Sequence, residues 1–385
     1  MVHRQIDAAH LPPALGRHCE KRGIMAWSLE QVIQFAQEHH ASDVHLIRGI
    51  PPAFRIDGEI RVAKGDVLDK ETLQAMVDRI LINPRQHETL AEQSQLCVSH
   101  LWPGIARFRA SIYMRGGYPE MAIRVAERVI RTRQELGLPE VVEGLTRLPS
   151  GLVLVTGATG TGKTTTLNYM VDVINRERRV KIVMVEDPIE YIHDNRMSII
   201  VQQEVHTDTP SFRQALIHVL RQDPDVIVVG EMRDLETIST AMSAAETGHL
   251  VLATLHTPDA LQTIQRIFSV FPPEQQNNVM YQLSNSLQAI LAQNLLPRVG
   301  EGRTIACEVC IATPAIRKHI REGSPHQIMS EIQAGKKYQM RSMDDCLLGL
   351  YQKGEITFDT AISHARDPNS MRTRTSRDTP NGAPA

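Results

Sequence analysis

One stretch decides the fold of this chain: Leu152-Val153-Leu154-Val155-Thr156-Gly157-Ala158-Thr159-Gly160-Thr161-Gly162-Lys163-Thr164. Its first five residues are apolar or β-branched, which predicts a buried parallel strand, and the residues from 165 to 174 predict a helix. The eight residues from Gly157 to Thr164 match the phosphate-loop pattern G-x-x-x-x-G-K-[ST]. Strand, glycine-rich loop and helix follow in the required order, so the stretch predicts a nucleoside triphosphate site in an α/β fold.

Each part of the loop has a chemical task. Glycines allow backbone N–H groups to close around phosphates at the start of a helix. Lys163 is long enough to reach the β and γ oxygens, and the Thr164 hydroxyl is a candidate ligand for Mg²⁺. The sequence therefore predicts ATP and Mg²⁺ as cofactors, with all eight loop residues in contact with the nucleotide.

Composition limits the remaining possibilities. A chain of 385 residues with 42 % apolar content is long enough for about two or three domains. The formal net charge of −2 gives no bulk attraction for nucleic acid or anionic lipid. No window approaches 18 uninterrupted apolar residues, and the first 25 residues lack the apolar core of a secretory signal. We therefore expect a cytoplasmic protein without direct contact to nucleic acid.

The five cysteines are an odd number without the spacing of a disulfide framework. Cys307 and Cys310 form a single C-x-x-C, whereas a structural zinc site would require a second pair. They lie in a strand-like run from Thr304 to Ile311, where cysteines usually pack as small apolar groups. We expect packing here in preference to metal binding.

The order of patterns along the chain predicts five regions. They are an irregular extension (1–25, with Met25 as the expected first residue), an N-terminal α/β domain (26–126), a linker with a hinge (127–150), a nucleotide-binding domain with a helical C-terminal part (151–366) and a disordered polar tail (367–385).

In the N-terminal domain, Ser28 and Gln31 form a capping box before apolar residues spaced i, i+3, i+4 and i+7. This pattern predicts a helix over 28–40. Alternating runs predict strands at 44–46, 54–56, 59–62, 105–113 and 120–125, with a two-residue turn at 57–58 and a helix over 70–82. In the second domain, buried strands are predicted at 152–155, 181–185, 226–229 and 250–253, alternating with helices as in a parallel sheet covered on both faces.

Acidic residues follow two of these strands. Glu186 and Asp187 come directly after the second strand, at the carboxyl edge where open α/β sheets bind ligands, and are candidates for Mg²⁺. Glu231 follows the third strand, as in a Walker B element, and is the candidate for polarising the attacking water. The position before it is Gly230, where such strands usually carry Asp, so the metal depends more on Thr164 and the acids at 186–190.

Two further groups are catalytic candidates. His249 precedes the fourth strand and His256 follows it, and we interpret both as possible sensors of nucleotide state, with a structural role as the alternative. Arg115 and Arg124 lie on or between strands of the first domain. Either could act as an arginine finger from another domain or subunit, and the alternative is an ordinary solvent-facing arginine.

With these motifs in view, residues 28 to 367 resemble the GspE/PilT-type secretion ATPase superfamily, and within it the retraction motors of type IV pili. The resemblance rests on four motifs. The N-terminal signature consists of Ala41 to Leu46 with Gly49, Pro51, Pro52, Arg55, Asp57 and Gly58. The Asp box is Glu186 to Glu190, the Walker B box is Gly230 to Asp234, and the His box is Thr247 to Thr257. Ala315 to Glu322 matches the retraction pattern A-I-R-N-L-I-R-E at six of eight positions, with Lys318 and His319 departing from it. By itself this segment could be an amphipathic helix.

The resemblance implies a RecA-like core with a small PAS-like domain before it. It also implies a homo-hexameric ring that hydrolyses ATP between the domains and retracts the pilus by disassembling pilin, which produces twitching motility. Such a motor would act on a PilC-like inner-membrane platform protein, so its membrane contact would be indirect and peripheral. The alternatives are an accessory PilU-like ATPase that works with a second retraction motor, a hexameric nucleic-acid translocase and a nucleotide-gated regulator.

Overall fold

A computed structural model describes residues 5–6, 27–39, 41–56, 58–102, 106–125, 129–300 and 302–378. The chain divides into two compact units, with the main division between Arg128 and Val129. The first unit also includes Glu190–Ile192. The expected start at Met25 lies outside the described residues, as does most of the extension 1–25. Within that extension, Gln5–Ile6 pairs as a short parallel strand with residues 62 and 63.

The first unit is a mixed α/β structure. Its elements are β1 (Gln5–Ile6), α1 (Leu29–Glu38), β2 (Asp43–Leu46), β3 (Ala53–Ile56), β4 (Glu59–Ala63), α2 (Lys70–Ile80), α3 (Pro84–Gln93), β5 (Gln95–Trp102), β6 (Ala106–Arg115) and β7 (Tyr118–Val125). The strand order is β1-β4-β3-β2-β7-β6-β5, and the pairs from β4 to β5 are antiparallel.

Helix α1 begins where the capping box predicts. The Gln31 N–H donates to Ser28 Oγ over 3.3 Å, and the Ser28 N–H donates to Gln31 Oε1 over 2.9 Å. The apolar face of the helix, with Val32 and Ile33 at its centre, is fully buried in the core of this unit. The sequence did not predict α3 or β5, because 84–93 is polar and carries one deeply buried side chain, Leu90.

The second unit contains the parallel sheet. Its elements are α4 (Arg133–Leu136), α5 (Val141–Thr146), β8 (Gly151–Thr156), α6 (Lys163–Glu177), β9 (Lys181–Glu186), β10 (Ile199–Glu204), α7 (Phe212–Val219), β11 (Val226–Val229), α8 (Leu235–Glu246), β12 (Leu250–Leu255), α9 (Ala260–Ser269), α10 (Pro273–Ser286), β13 (Leu287–Pro297), β14 (Arg303–Ile311), α11 (Pro314–Arg321), α12 (Ile328–Ala334), α13 (Met343–Gln352), α14 (Phe358–His364) and α15 (Pro368–Asp378). The strand order is β10-β9-β11-β12-β8-β13-β14. The pairs from β10 to β13 are parallel, and β14 runs antiparallel to β13.

This sheet is buried on both faces by separate apolar clusters, one with α7 to α11 and the other with α5 and α6. The predicted fold class, an α/β protein with a parallel central sheet after a smaller mixed domain, is therefore confirmed. Strands β10 and β13 were not predicted.

The segment from 129 to 150 differs from the predicted linker. Leu138, Val142 and Leu145 are buried in the same cluster as Val153 of β8. Arg178 donates from Nη1 to the carbonyl oxygens of 146 and 148 over 2.8 and 3.1 Å. These apolar side chains and carbonyl contacts make the segment part of the second unit, because a free linker would leave them in water.

The predicted disordered tail is partly helical. Residues 368–378 form α15, in which Met371 and Thr375, one turn apart, are buried, and Met371 packs in a small apolar cluster with α13 and α14. Arg374 Nη2 donates to Asp345 Oδ1 over 2.5 Å. The prediction relied on overall polarity and missed this one-sided apolar contact. Residues 379–385 lie outside the described part of the chain.

Among the described residues, no helix combines the length and the apolar character that a bilayer span requires.

Candidate nucleotide site

The phosphate loop occupies the turn between β8 and α6. Gly157, its first residue, has φ +142°, and a Cβ atom there would lie 2.4 Å from the Gln293 carbonyl oxygen and 2.6 Å from Thr161 Oγ1. No side chain fits against β13 at that distance, and the backbone conformation itself favours glycine. The sequence motif thus has a steric cause: the loop must turn directly beside the neighbouring strand.

Lys163 begins α6, and its side chain folds back into the loop. Nζ donates to the carbonyl oxygens of Gly157 and Ala158, each over 2.8 Å, and it lies 3.4 Å from Nδ1 of His256. The ammonium group is therefore held at the mouth of the loop, although the residue is almost fully buried.

His256 connects this lysine to the Walker B acid. An ammonium group can only donate, so Nδ1 of a neutral His256 accepts from Lys163, and its proton resides on Nε2. Nε2 lies 3.0 Å from Glu231 Oε1. Arg233 also donates to Glu231 from Nε and Nη2, over 2.5 and 2.7 Å. Burial disfavours the charged carboxylate, but the contacts with Arg233 and His256 prevail and hold the pKa of Glu231 below its ordinary value.

The strand register explains why residues so distant in sequence meet. Leu255 pairs with Thr156, so His256 and Gly157 leave the sheet at the same level. Val229 pairs with both Ala253 and Val185, so the residues after β9, β11 and β12 emerge together at the carboxyl edge. Parallel pairing thus brings the loop, the two acids and His256 to one edge.

Glu186 ends β9 and is buried, with Oε1 accepting from Gln202 Nε2 over 2.9 Å. The neighbouring Gly230 has little room for a side chain: a Cβ would lie 3.1 Å from the Val185 carbonyl oxygen and 3.2 Å from the Glu186 Cα. Such strands usually carry a carboxylate at the position of Gly230, and here the adjacent strand places Glu186 beside it.

The residues proposed for Mg²⁺ are Thr164, Glu186 and Asp187. Within the described ranges, no group of three or more His, Cys, Asp or Glu side chains forms a ready metal cluster. Mg²⁺ in nucleotide sites commonly binds one or two carboxylates and completes its shell with waters and substrate phosphates. The Thr164 hydroxyl and the carboxylates of Glu186 and Asp187 are ligands of the kind that such a site uses.

His249 does not lie where the sequence interpretation placed it. It precedes β12, whereas the phosphate loop follows the carboxyl end of the paired strand β8, so the six-residue strand separates them by roughly 17–20 Å. Nδ1 of His249 lies 3.0 Å from the Ala244 carbonyl oxygen, and the His249 carbonyl accepts from the Gly151 N–H over 3.0 Å. Within this chain His249 bonds backbone groups at the amino edge, away from the phosphate loop, which favours the structural alternative, and its role as a sensor stays a prediction.

Arg115 and Arg124 belong to the first unit. Arg115 donates from Nε and Nη2 to the buried carboxylate of Glu120 over 2.8 and 2.6 Å. Arg124 donates to Asp43 Oδ1 over 3.0 and 2.8 Å. Both guanidinium groups remain largely exposed. A finger role for either one stays a proposal.

Cys307 and Cys310 lie on β14 and are fully buried, in clusters on opposite faces of the sheet. Burial raises the pKa of the Cys307 thiol to about 12 and also raises that of Cys310. They therefore pack as apolar groups, and they do not form one metal site because their side chains point apart.

The segment Ala315–Glu322 overlaps α11, an amphipathic helix that buries Ile316 and Ile320. Arg317 donates to the carbonyl oxygens of residues 284 and 285 over 2.6 and 2.7 Å, at the end of α10. Of the two residues that depart from the retraction pattern, Lys318 is exposed, and His319 is mostly buried with Nε2 3.4 Å from Glu331 Oε1. The described contacts assign a structural task to Arg317 and leave the exposed face for other roles.

Sequence reasoning missed Gln202, which donates to Glu186, and Glu204, which accepts from the Ile189 N–H. It also missed Asn168 and His193, which contact each other between α6 and the segment after β9. Gln202 and Glu204 lie on the same face of β10, but Gln203 between them is also polar, so the run shows no alternation that would have marked them. For the same reason β10 itself was not recognised as a strand.

This fold and edge define a P-loop nucleoside triphosphatase: a strand, glycine loop and helix with Lys163, beside acids that follow adjacent parallel strands. The particular family follows from comparison. Residues 112–373 match the family described as Type II/IV secretion system protein, and the chain belongs to that family. The secretion ATPase superfamily predicted from the motifs is thereby confirmed, and with it the class of enzyme.

Among characterised relatives, the chain is 42 % identical to the type IV pilus retraction ATPase PilT of Pseudomonas aeruginosa, over 89 % of this chain and 99 % of that protein. It is 38 % identical to the type IV pilus ATPase PilU of the same organism, over 89 % of this chain and 90 % of that protein. A crystal structure of the pilus retraction motor PilT with bound ADP is similar with a TM-score of 0.83, at 42 % identity, over 90 % of this chain and 100 % of that one.

Proposed function

We propose that this chain is an ATP-hydrolysing motor that powers retraction of a type IV pilus and thus twitching motility. The observation that carries the proposal is the similarity to a retraction ATPase along almost its whole length. The carboxyl edge supports it, since Lys163, His256 and Glu231 form one connected group there.

The residues of this edge divide the work of hydrolysis. The N–H groups of 157–164 and the Lys163 ammonium hold the phosphates, which requires Nζ to exchange loop carbonyls for phosphate oxygens. Glu231 orients and polarises the attacking water. His256 donates from Nε2 to Glu231, which fixes the direction of that carboxylate. Thr164, Glu186 and Asp187 would hold Mg²⁺, whose charge would offset that of the phosphates.

The motor is proposed to work as a homo-hexamer. In a ring, arginines of one subunit can approach phosphates bound by another, and Arg115 and Arg124 are the candidates. Each would first have to leave its carboxylate partner, Glu120 or Asp43. The load is proposed to be a PilC-like platform protein, with the motor cytoplasmic and peripheral at the inner face of the membrane.

An accessory, PilU-like role is the second candidate, because identity to the PilU relative is 38 %, only slightly below that to PilT. An accessory motor depends on a second retraction ATPase. The match of Ala315–Glu322 to the retraction pattern favours the principal motor.

The test is a count of surface pili together with a motility assay, in a strain that lacks this gene. We expect this strain to carry excess pili and not to move. The wild-type gene should restore normal piliation and motility, and the Glu231→Gln gene should not. Bald cells would identify an assembly motor, and motile cells with normal piliation would favour the accessory role.

A further inference from the structure

Partly buried hydrogen bonds connect the helix of the phosphate loop to one of the acids. Asn168, one turn after Thr164 on α6, donates from Nδ2 to the Thr164 carbonyl oxygen over 2.9 Å. Its Oδ1 lies 2.6 Å from Nε2 of His193. The His193 backbone N–H donates to Gln202 Oε1 over 3.1 Å, and Gln202 Nε2 donates to Glu186 Oε1 over 2.9 Å.

The groups at the two ends of this series decide which atoms donate and which accept. A backbone carbonyl and a carboxylate only accept, so Asn168 presents its NH₂ group to Thr164, and Gln202 presents its NH₂ group to Glu186. Oδ1 of Asn168 must then accept, which places the His193 proton on Nε2. Reversing either amide would set two acceptors against each other, so the arrangement has one stable orientation.

His193 is neutral in this arrangement. Burial is the main cause that lowers its pKa, to about 4, although Asp172 acts in the opposite direction. A neutral ring donates one hydrogen bond from Nε2 without a counter-ion. The series therefore remains intact without a charge at its centre.

Strand β10 also contacts the other end of the turn over 186–189, which begins with Glu186 and Asp187. Glu204, two residues after Gln202 and therefore on the same face, accepts from the Ile189 N–H through Oε2 over 3.1 Å. Gln202 thus contacts the first residue of the 186–189 turn, and Glu204 contacts the last. Both Gln202 and Glu204 are contributed by a single edge strand.

We propose that Asn168, His193 and Gln202 form a positioning relay, which fixes the Glu186 carboxylate relative to the first turn of α6 and hence to Lys163 and Thr164. These three residues are positioning residues, because they act on the reaction only through Glu186. A carboxylate held in advance loses no side-chain freedom when the phosphates bind, and a small misplacement of a reacting group is costly. The inference rests on the proposed ATPase function of this edge.

The decisive variant is Gln202→Glu in the full-length protein, with Gln203→Glu as its matched control. Both add the same charge to β10, but neighbouring strand residues face opposite sides, so only Gln202→Glu sets a carboxylate against Glu186. We expect Gln202→Glu to lower kcat about 10- to 100-fold while KM for ATP changes by less than about twofold. Gln203→Glu should retain the wild-type kcat and KM.

A second readout does not depend on activity. In the exchange variant Glu186→Gln with Gln202→Glu, the amide at 186 can donate to the carboxylate at 202, so the hydrogen bond is restored with its direction reversed. We expect the exchange to recover the thermal stability that Gln202→Glu alone loses, but not kcat. A crystal structure of nucleotide-free Gln202→Glu should show the Glu186 carboxylate turned away from residue 202.

These outcomes separate the relay from the proposed function. If Gln202→Glu is as active as Gln203→Glu, the relay is overturned, and ATP hydrolysis by the protein stands. If the wild-type protein does not hydrolyse ATP, the proposed function fails. The exchange variant then decides the relay alone, with recovered stability supporting it and unrecovered stability overturning it.

Discussion

The two edges of the parallel sheet in the second unit carry polar residues for different purposes. At the carboxyl edge, Lys163, His256 and Glu231 contact one another through side chains. At the amino edge, His249 and Arg178 contact backbone carbonyl oxygens. Lys163 also bonds the loop carbonyls, and at this edge such bonds can be exchanged when a ligand arrives, whereas the two residues at the amino edge attach neighbouring elements of the fold. Chemistry and support are thus divided between the two ends of the same strands.

The largest expected effect belongs to the carboxyl edge. Glu231→Gln keeps the size of the side chain but removes the charge that polarises water, so kcat should fall by about 10²- to 10⁴-fold. Nucleotide binding should persist, since Lys163 and the loop are unchanged. Steady-state phosphate release and ADP titration measure the two quantities separately. Unchanged hydrolysis would remove Glu231 from the mechanism.

The two histidines at the ends of β12 test the comparison directly. His256→Ala removes the imidazole that contacts both Lys163 and Glu231, and we expect kcat to fall about 10- to 100-fold. His249→Ala removes a bond to a carbonyl and should cost about 1 kcal/mol of stability while leaving kcat near the wild-type value. Phosphate release and urea unfolding are measured on both variants. Equal losses of kcat would show that the division between the edges is mistaken.

How much the sequence predicts also differs between regions. Strands β8, β9, β11 and β12 are continuous β-branched or apolar runs, so their local pattern agrees with their buried position. Strand β13 was missed because Leu287–Pro297 continues directly from α10 and lacks the alternation of a half-buried strand. Its pairing with β8 is a tertiary contact, which no local window contains.

The candidate site shows the same limit. The phosphate loop, Glu186 and Glu231 follow from motifs because each lies directly after a recognised strand. His249 and His256 flank one strand symmetrically in sequence, and only the parallel register with β8 separates their roles. Gln202, the partner of Glu186, was missed because its position beside Glu186 and its connection to α6 through His193 are created only by the fold.

A smaller effect concerns the stability of the carboxyl edge in acid. The pKa of His193 is lowered from 6.5 to about 4 in the folded protein, so the unfolded chain takes up this proton first as the pH falls. The stability contributed by the neutral ring is complete above pH 6.5 and is lost progressively toward pH 4. Between pH 7.5 and 5.0 this amounts to about 2 kcal/mol. His193→Gln retains a donor without a titrating ring, so urea unfolding of this variant should show an acid loss smaller by that amount. An identical loss in both proteins would contradict the assignment.

The smallest effect is expected at the amino edge. Arg178 donates to the carbonyl oxygens of 146 and 148, which attaches the segment before β8 to the end of α6. Arg178→Met keeps an unbranched side chain but removes both charge-assisted bonds, and should cost about 1–2 kcal/mol of stability. The carboxyl ends of the strands are unaffected by this change, so kcat at a temperature well below unfolding should remain at the wild-type value. Urea unfolding and phosphate release on the same sample measure both quantities. A loss of kcat without a loss of stability would mean that the amino edge takes part in turnover, and the division of labour between the two ends of the sheet would have to be abandoned.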